Sequence, residues 1–498
     1  MRIRSFLALG SLTLFGCAVG PDFEAPAPPH VDAYMENPLP EQTVETEGQA
    51  GAAQHFVMGG EIPADWWCLF HSKPLNLLIE QGIKKNNTLK AAQAALREAE
   101  ANYWASVANL FPFVSVGGLA ERQRFNASSF DQPNLRPQTF NLFNAGVNVS
   151  YTLDVFGGIR RQIEAVGAQE DFANYEEKAA YLTLTANIVT TAITEASLRA
   201  QIEATEELVK IQKKNLDIAE NRFALGAISK IDALSQATQL YQTESSLPPL
   251  QNALAQTRTT LSVLIGELPS ECKIHAFSLS EITLPTEIPV SIPCHLVWQR
   301  PDIKAAESLL HAASAQIGVA TANFFPQFTI NGSYGGSSNF IKDLFKGTSN
   351  VWTLIGNVAQ PVFRAGQLIN QRRAAVAAFE QAFAQYRQTV LEAYKNVADV
   401  LQALELDAVQ LKITTDGEKA ATETLKLTQI QYDLGAVSYL NLIIAQRQYH
   451  LARVDRIRAE ASRLTNTAAL FQALGGGWWN YIPPCPVHDV EQCEGEEK

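Results

Sequence analysis

Few side chains of this sequence are spaced to do chemistry. The eight histidines are scattered, and the six cysteines show no CxxC or Cys–His spacing that would hold a metal ion. No nucleophile–base constellation and no phosphate-binding loop is present. The chain therefore reads as non-enzymatic, with no cofactor. A net charge of −12 provides no basic face for nucleic acid. One thiol stands apart by position. Cys17 closes an apolar run, after Leu14-Phe15-Gly16, and the chemistry open to it there is acylation.

Arg2 and Arg4 precede the apolar stretch Phe6 to Phe15, so residues 1–16 form an export signal, too short to span a bilayer as a helix. The ending Leu14-Phe15-Gly16-Cys17 resembles a bacterial lipobox, in which the Cys becomes the acylated first residue. A plain signal peptide with a chance Cys is the alternative. Several acyl chains on Cys17 would give stable anchoring, which one chain does not. Ala18, rather than Asp, follows the Cys, and by the same resemblance this favours delivery to the outer membrane. Residues 17–62 are rich in Pro, Ala, Glu and Gly and read as an acylated extended tether. Residues 481–498 read as a flexible tail. Cys68, Cys272, Cys294, Cys485 and Cys493 are an odd number for an oxidising compartment. Cys272 with Cys294, and Cys485 with Cys493, are the sequence-near pairings, and the choice stays open.

The elements come next. The chain has 498 residues, 46% apolar and 18% charged, and length alone suggests roughly three domains. Mean hydropathy is −0.06, and past the N-terminus no run of about 20 apolar residues exists. Transmembrane helices are excluded; transmembrane strands, which alternate apolar and polar residues, are not.

The sequence repeats itself. Ala91-Ala92, Leu96 and Ala108-Asn109-Leu110-Phe111-Pro112 recur as Ala305-Ala306, Leu310 and Ala322-Asn323-Phe324-Phe325-Pro326, at an offset of 214. Phe223-Ala224-Leu225-Gly226-Ala227-Ile228-Ser229 recurs as Tyr432-Asp433-Leu434-Gly435-Ala436-Val437-Ser438, at an offset of 209. Repeat 1 is expected over 63–284 and repeat 2 over 285–480. Each should open with an Ala-rich helix, 74–109 or 299–323, stopped by Phe-Pro. Two strands follow in each. In the clearest, Asn141, Phe143, Ala145, Val147, Val149 and Tyr151 alternate with Asn144, Gly146, Asn148, Ser150 and Thr152. This suits a membrane barrel strand, and equally a strand half-buried in a soluble sheet. Phe328–Tyr334 and Val351–Val362 are the second pair. Lipid tolerates no open sheet edge, and minimal barrels have about eight strands, so four strands in lipid require an oligomer.

The rest of each half is long helix. From Gly158 to Ala224 there is no Pro. Leu198, Ile202, Thr205, Val209, Gln212, Leu216, Ala219 and Phe223 follow heptad spacing, as do Val390, Tyr394, Val397, Leu401, Leu404, Ala408 and Leu411. Coiled-coil packing is the natural reading, an ordinary helical bundle the alternative. Pro248-Pro249 should interrupt the first return helix. The Leu-Gly-Ala-Ile-Ser and Leu-Gly-Ala-Val-Ser segments are hairpin tips, where Gly226 or Gly435 ends one helix and Ser229 or Ser438 caps the next. Asp154 reads as a helix cap, Arg300 and Asp302 as structural, and Trp66-Trp67 as core.

With Cys17-Ala18-Val19-Gly20-Pro21-Asp22-Phe23, Tyr151-Thr152-Leu153-Asp154-Val155-Phe156-Gly157-Gly158, Arg300-Pro301-Asp302-Ile303, Gln360-Pro361-Val362-Phe363 and Ala473-Leu474-Gly475-Gly476-Gly477-Trp478, the chain resembles the outer-membrane efflux proteins. These are the TolC-like outer-membrane factors, and the likeness is greatest to their NodT-like lipoprotein branch. The resemblance implies a mixed, mainly α fold with internal duplication. It implies a homotrimer, with four strands per protomer in a twelve-stranded transmembrane β-barrel and long antiparallel coiled-coil helices in a periplasmic α-barrel. It implies a passive duct in a tripartite efflux system, carrying small molecules such as drugs or toxic compounds. The partners would be outer-membrane lipid, a periplasmic adaptor (membrane fusion) protein and an inner-membrane pump of RND type. An outer-membrane duct for type I protein secretion, or a periplasmic coiled-coil scaffold lipoprotein, are the alternatives. Adaptor docking would fall on Gly226, Ala227, Ser229, Gly435, Ala436 and Ser438. By motif position Asp232 and Tyr432 would be gate residues, with Asn441 nearby; Asn441 and Ile444 stand where relatives often carry Asp. A helix-N-terminal carboxylate is the other reading of Asp232.

Overall fold

A computed structural model describes residues 18–125, 138–271, 275, 276 and 278–480. Cys17, Cys272, Cys485, Cys493 and the tail 481–498 lie outside the described residues. The elements, in chain order, are β1 (His55–Met58), α1 (Lys73–Lys85), α2 (Asn87–Val107), β2 (Phe113–Phe125), β3 (Gln138–Leu153), α3 (Gly158–Ala224), α4 (Lys230–Glu244), α5 (Leu247–Leu264), β4 (Glu287–Val290), α6 (Pro293–Gln299), α7 (Pro301–Ala322), β5 (Gln327–Ser338), β6 (Asn350–Ala359), α8 (Gln367–Asp433) and α9 (Tyr439–Ala473). Among the described residues no helix is long and apolar enough to cross a membrane.

The chain forms two compact units, and each draws on both halves of the sequence. The first contains residues 18–26, Ala94–Asn174 and Ala305–Gln388; the second contains Ala27–Gln93, Tyr175–Lys304 and residues 389–480. The three domains suggested by length are not there.

In the first unit, four antiparallel strands form one sheet in the order β2-β3-β5-β6. They are 13, 16, 12 and 10 residues long. A tilted transmembrane strand needs about 9–11. Glycines set how closely the central strands approach: a Cβ on Gly335 would overlap the Ala145 carbonyl oxygen. After β3 the chain turns into α3 through Gly157, at φ 78°. Asp154 caps α3, accepting from the Ile159 amide (2.9 Å) and the Arg160 amide (3.0 Å). The N-terminal segment is extended, but it is strapped down. Val19 N donates to Phe156 O at 3.1 Å, Asp22 pairs with Arg161 at 2.6 Å, and Phe23 stacks on His311 with ring centroids 4.4 Å apart.

In the second unit much of the heptad series read from sequence is buried, while Leu198, Ile202, Leu216 and Tyr394 are half-buried. Val397, Leu401, Leu404 and Ala408 have no exposed surface, and Thr205, Val209, Gln212 and Ala219 are buried. Phe223, the last of its series, is exposed. Trp66 is buried and stacks on Phe471, ring centroids 5.3 Å apart. Arg463 is wholly buried, and its guanidinium donates to Ala50 O, Thr43 Oγ1 and Ala52 O, each at 2.8 Å. Burial lowers its pKa to about 10. Glu195, also wholly buried, is held by Arg199 (2.6 Å) and Arg258 (2.9 Å). Arg300 pairs with Asp302 at 2.6 Å and donates to Ala473 O, which makes both residues structural.

The helix boundaries differ from expectation in two places. The helix expected over 74–109 is two helices, because Asn86 stops one and caps the other: its Oδ1 accepts from Leu89 N at 3.0 Å, while its Nδ2 donates to Leu264 O at 2.8 Å. Cys68 and Cys294 are free thiols, and the bonding of Cys272, Cys485 and Cys493 lies outside the described residues. The short parallel pair β1–β4 carried no sequence signal strong enough to announce it. The expected interruption at Pro248-Pro249 falls between α4 and α5, with Ser245 and Ser246 as the joint. Pro in the first turn of α5 loses an amide that would lack a helical acceptor anyway. The counterpart α9 has no such break and runs 35 residues.

Gly335→Ala should destabilise the β3–β5 pairing by about 1–3 kcal/mol through overpacking. Gly332→Ala on the same strand should be tolerated, because its Cβ would meet Leu354 Cδ1 at an ordinary 3.8 Å. Unfolding temperatures of the two detergent-solubilised variants, followed by circular dichroism, check the contrast.

Candidate functional site: the two sheet faces and the two hairpin tips

The sheet register sorts the strand residues onto two faces. Val116, Val147, Tyr334 and Trp352 are successive partners across all four strands, and so are Val114, Val149, Gly332 and Leu354. Tyr151 with Ile330, and Leu153 with Phe328 and Val358, continue this face. The other face carries the row Ser115, Asn148, Ser333 and Thr353, and Thr152 with Thr329 and Asn357. Ser333 and Thr353 hydroxyls lie 2.6 Å apart. Phe113, Leu119, Val351 and Ile355 interrupt this second face. A cavity of about 480 Å³, lined by Asn144, Gly146, Asn148, Ser333, Gly335 and Ser337, marks the polar face as the concave one. The apolar face is convex, and Val116, Trp352 and Leu354 on it are 82%, 71% and 71% exposed. Apolar-out and polar-in on a curved sheet suits lipid outside and water inside.

The tips belong to the second unit. Both are built alike. Gly226 N donates to Phe223 O and Ala227 N to Arg222 O, each at 2.8 Å. Gly435 N donates to Tyr432 O at 2.9 Å and Ala436 N to Gln431 O at 2.8 Å. These are Schellman closures, and they need the positive φ that Gly226 (75°) and Gly435 (71°) supply. The next helix starts differently in each. In the first tip, Ser229 Oγ accepts from Asp232 N at 3.3 Å, and Asp232 Oδ2 accepts from Ser229 N at 3.3 Å and from Ser229 Oγ at 2.9 Å, which is a capping box. In the second, Ser438 makes no side-chain cap bond, and Asn441 stands where the first tip has Asp232. Arg222 Nη1 donates to Tyr432 Oη at 3.2 Å and joins the two hairpins, and Tyr432 packs edge-on against Tyr439. Burial pushes the Tyr439 phenol up. Leu225 (85% exposed) and Leu434 (79%) crown the two tips, with Ile231 and Leu440 exposed beside them.

The structure places Asp232, Tyr432, Asn441 and the six tip residues singled out from sequence at the two hairpin tips. Sequence spacing had missed Arg222, whose link to Tyr432 joins positions 210 apart and leaves no local pattern. It had also missed a cavity of about 420 Å³ among α3, α8 and α9, lined by Glu207, Lys426, Tyr449, His450 and Arg453. Arg453 pairs with Glu207 at 2.5 Å. Burial, and then Arg453, lower the pKa of His450.

The outer membrane efflux protein family matches over residues 78–267 and again over 296–476. The chain belongs to that family. The double match fits the two parallel halves, each with a strand pair and a 67-residue helix. The cation efflux system protein CusC of Escherichia coli O6:H1 is 28% identical over 477 residues, spanning 94% of this chain and 97% of CusC. The antibiotic efflux pump outer membrane protein ArpC of Pseudomonas putida is 29% identical over 483 residues, 95% of each chain. The solved structure of the outer-membrane channel OprN superposes with a TM-score of 0.82 at 25% identity, over 93% of this chain and all of that one. The chain is thus an outer-membrane efflux channel protein, and its sheet is the membrane part.

Two outcomes follow. Ser229→Ala should cost about 1 kcal/mol, while Ser438→Ala should cost a few tenths at most, because only Ser229 accepts a cap bond. Amide exchange at each tip reads the difference. His450 has a folded pKa below the unfolded 6.5, so the unfolded state takes up the proton first. Stability should therefore fall as pH drops below about 6.5, and His450→Gln should flatten that slope in thermal melts between pH 7 and 5.

Proposed function

We propose that three copies of the chain close one barrel and form a passive efflux duct, which an inner-membrane pump supplies through a periplasmic adaptor. The observation that carries this reading is the curved four-stranded sheet with an apolar convex face and two open edges, β2 and β6. Lipid does not satisfy unpaired backbone groups, and four strands are too few to close. Three copies give twelve strands with every edge paired. Two 67-residue helices per protomer, roughly 100 Å each at the usual rise, have the reach to continue the duct across the periplasm. Cys17 carries the acyl chains that anchor the mature N-terminus, directly before the strapped residues Ala18 to Phe23.

The tips dock the adaptor. Gly226, Ala227, Ser229, Gly435, Ala436 and Ser438 shape two similar crowns whose exposed leucines give an adaptor hairpin apolar surface to cover. Asp232, Tyr432 and Asn441 form the gate. Around a threefold axis Asp232 would contribute three carboxylates, which favour cations. The capping box fixes that carboxylate at the helix start. Similarity does not choose the cargo, since relatives named for cation and for antibiotic efflux are almost equally identical. The pump of RND type would make that choice.

Planar-bilayer recordings test the duct. Purified trimer should give discrete conductance steps, and Asp232→Ala should raise the leak and lower cation selectivity. A monomer that inserts no channel would overturn the reading, and unchanged conductance and selectivity in the variant would remove Asp232 from the gate. Cys17→Ser should lose the acyl mass, read by mass spectrometry, while the barrel keeps the protein in the membrane fraction.

A further inference from the structure

The loop between β5 and β6, residues 339–349, is not a simple turn. A Cβ on Gly336 would run into the Leu344 carbonyl, so the loop lies against the side of the sheet that residue 336 faces. That side is the convex apolar one, because residues 334 and 336 share a face and Tyr334 pairs with Trp352 there. Leu344 is buried in this contact, and Ser349 Oγ donates to Asp343 O at 2.7 Å to hold the loop shape. The same fold-back leaves Phe340, Ile341 and Phe345 outward, 62%, 69% and 84% exposed. Lys342 and Lys346 stand among them. Lys342 Nζ lies 5.8 Å from the Phe340 ring centroid, and Lys346 pairs with Asp343 at 2.5 Å.

The position of the loop says what would cover these apolar groups. Tyr334 and Trp352, exposed on the convex face two residues before Gly336 and two residues after Asn350, form an aromatic step of the kind found where a barrel meets the lipid headgroups. The loop continues that face beyond the aromatic pair, at the strand ends away from α7 and α8. Its charge is positive, two lysines against one aspartate, in a chain whose net charge is −12. Apolar groups at headgroup level with lysines between them match an anionic lipid surface.

We propose that residues 339–349 are an outer-leaflet anchor: Phe340, Ile341 and Phe345 enter the acyl boundary while Lys342 and Lys346 hold phosphate-bearing lipid headgroups. The assignment rests on the membrane placement of the sheet given above. Its consequence is a preferred depth and rotation of the barrel in a bilayer whose outer leaflet carries phosphate.

The test is amide exchange of residues 339–349 in the full-length acylated trimer, in three settings. These are nanodiscs containing lipid A, nanodiscs of phosphatidylcholine alone, and the latter with inorganic phosphate added. Exchange should slow roughly thirtyfold more in lipid A than in phosphatidylcholine, since two lysines near an anionic surface contribute about fivefold each. Free phosphate should give no protection. K342A/K346A should erase the lipid A increment. F340S/F345S should speed exchange in both kinds of disc. Equal exchange in lipid A and phosphatidylcholine, or equal protection by phosphate alone, would overturn the proposal. Conductance of the same preparations separates the two readings. Conducting wild type with a lipid-indifferent loop defeats the anchor and leaves the duct, whereas wild type that never conducts defeats the duct.

Discussion

A backbone amide or carbonyl at the edge of a sheet has no partner in hydrocarbon. The cost is several kcal/mol for each group, and a strand of ten residues exposes a row of them. The sheet of this chain has two such edges, β2 and β6, and its convex face is apolar from Leu153 to Trp352. An isolated protomer would carry both edges unpaired. The need to close those edges makes the chain one part of an assembly. Each half supplies one strand pair, and the pairs join through β3 and β5. Gly146 and Gly335 permit the close approach at that join.

Duplication gives the second unit its order as well. Two helices of 67 residues end in closures that match bond for bond, Gly226 with Gly435 and Ala227 with Ala436. The copies then diverge where a helix must restart. The first tip keeps Ser229 and Asp232 as a reciprocal cap, and its return path breaks at Ser245-Ser246 before Pro248-Pro249. The second has Ser438 and Asn441 without a side-chain cap, and its return path is one helix. A firm start followed by a break thus faces a softer start followed by a continuous rod. Arg222 and Tyr432 bridge these unlike hairpins with one exposed hydrogen bond, which is a weak link by magnitude.

What was legible in the sequence was whatever repeats at short range. Heptad spacing identified Val397, Leu401, Leu404 and Ala408, because a helix seam is a local periodicity. Strand alternation identified the faces of β3, and the Gly and Ser of each tip marked its turns. The break at Asn86 escaped because Asn sits acceptably in a helix until its side chain finds Leu89 N and Leu264 O, and the second of these is remote. The strap escaped for the same reason. Residues 18–62 have no periodicity, and their order comes from distant partners such as Arg161 and Arg463. At the tips, Asp232 and Tyr432 were singled out by motif position, whereas Arg222, which bonds Tyr432, was not, since nothing local distinguishes one helix-end arginine from another.

Arg463 shows how such distant order is enforced. Its guanidinium is wholly buried, in a site that lowers its pKa, yet it stays charged at neutral pH because about 10 is still far above 7. A buried cation is tolerated only where acceptors surround it, and here they are Ala50 O, Ala52 O and Thr43 Oγ1, all on the strap. Without residues 43–52 the guanidinium would lose these three acceptors, and water would have to replace them. The extended segment 43–52 is therefore tied to α9 by three hydrogen bonds to one buried cation, and its lack of secondary structure is no measure of how firmly it is held.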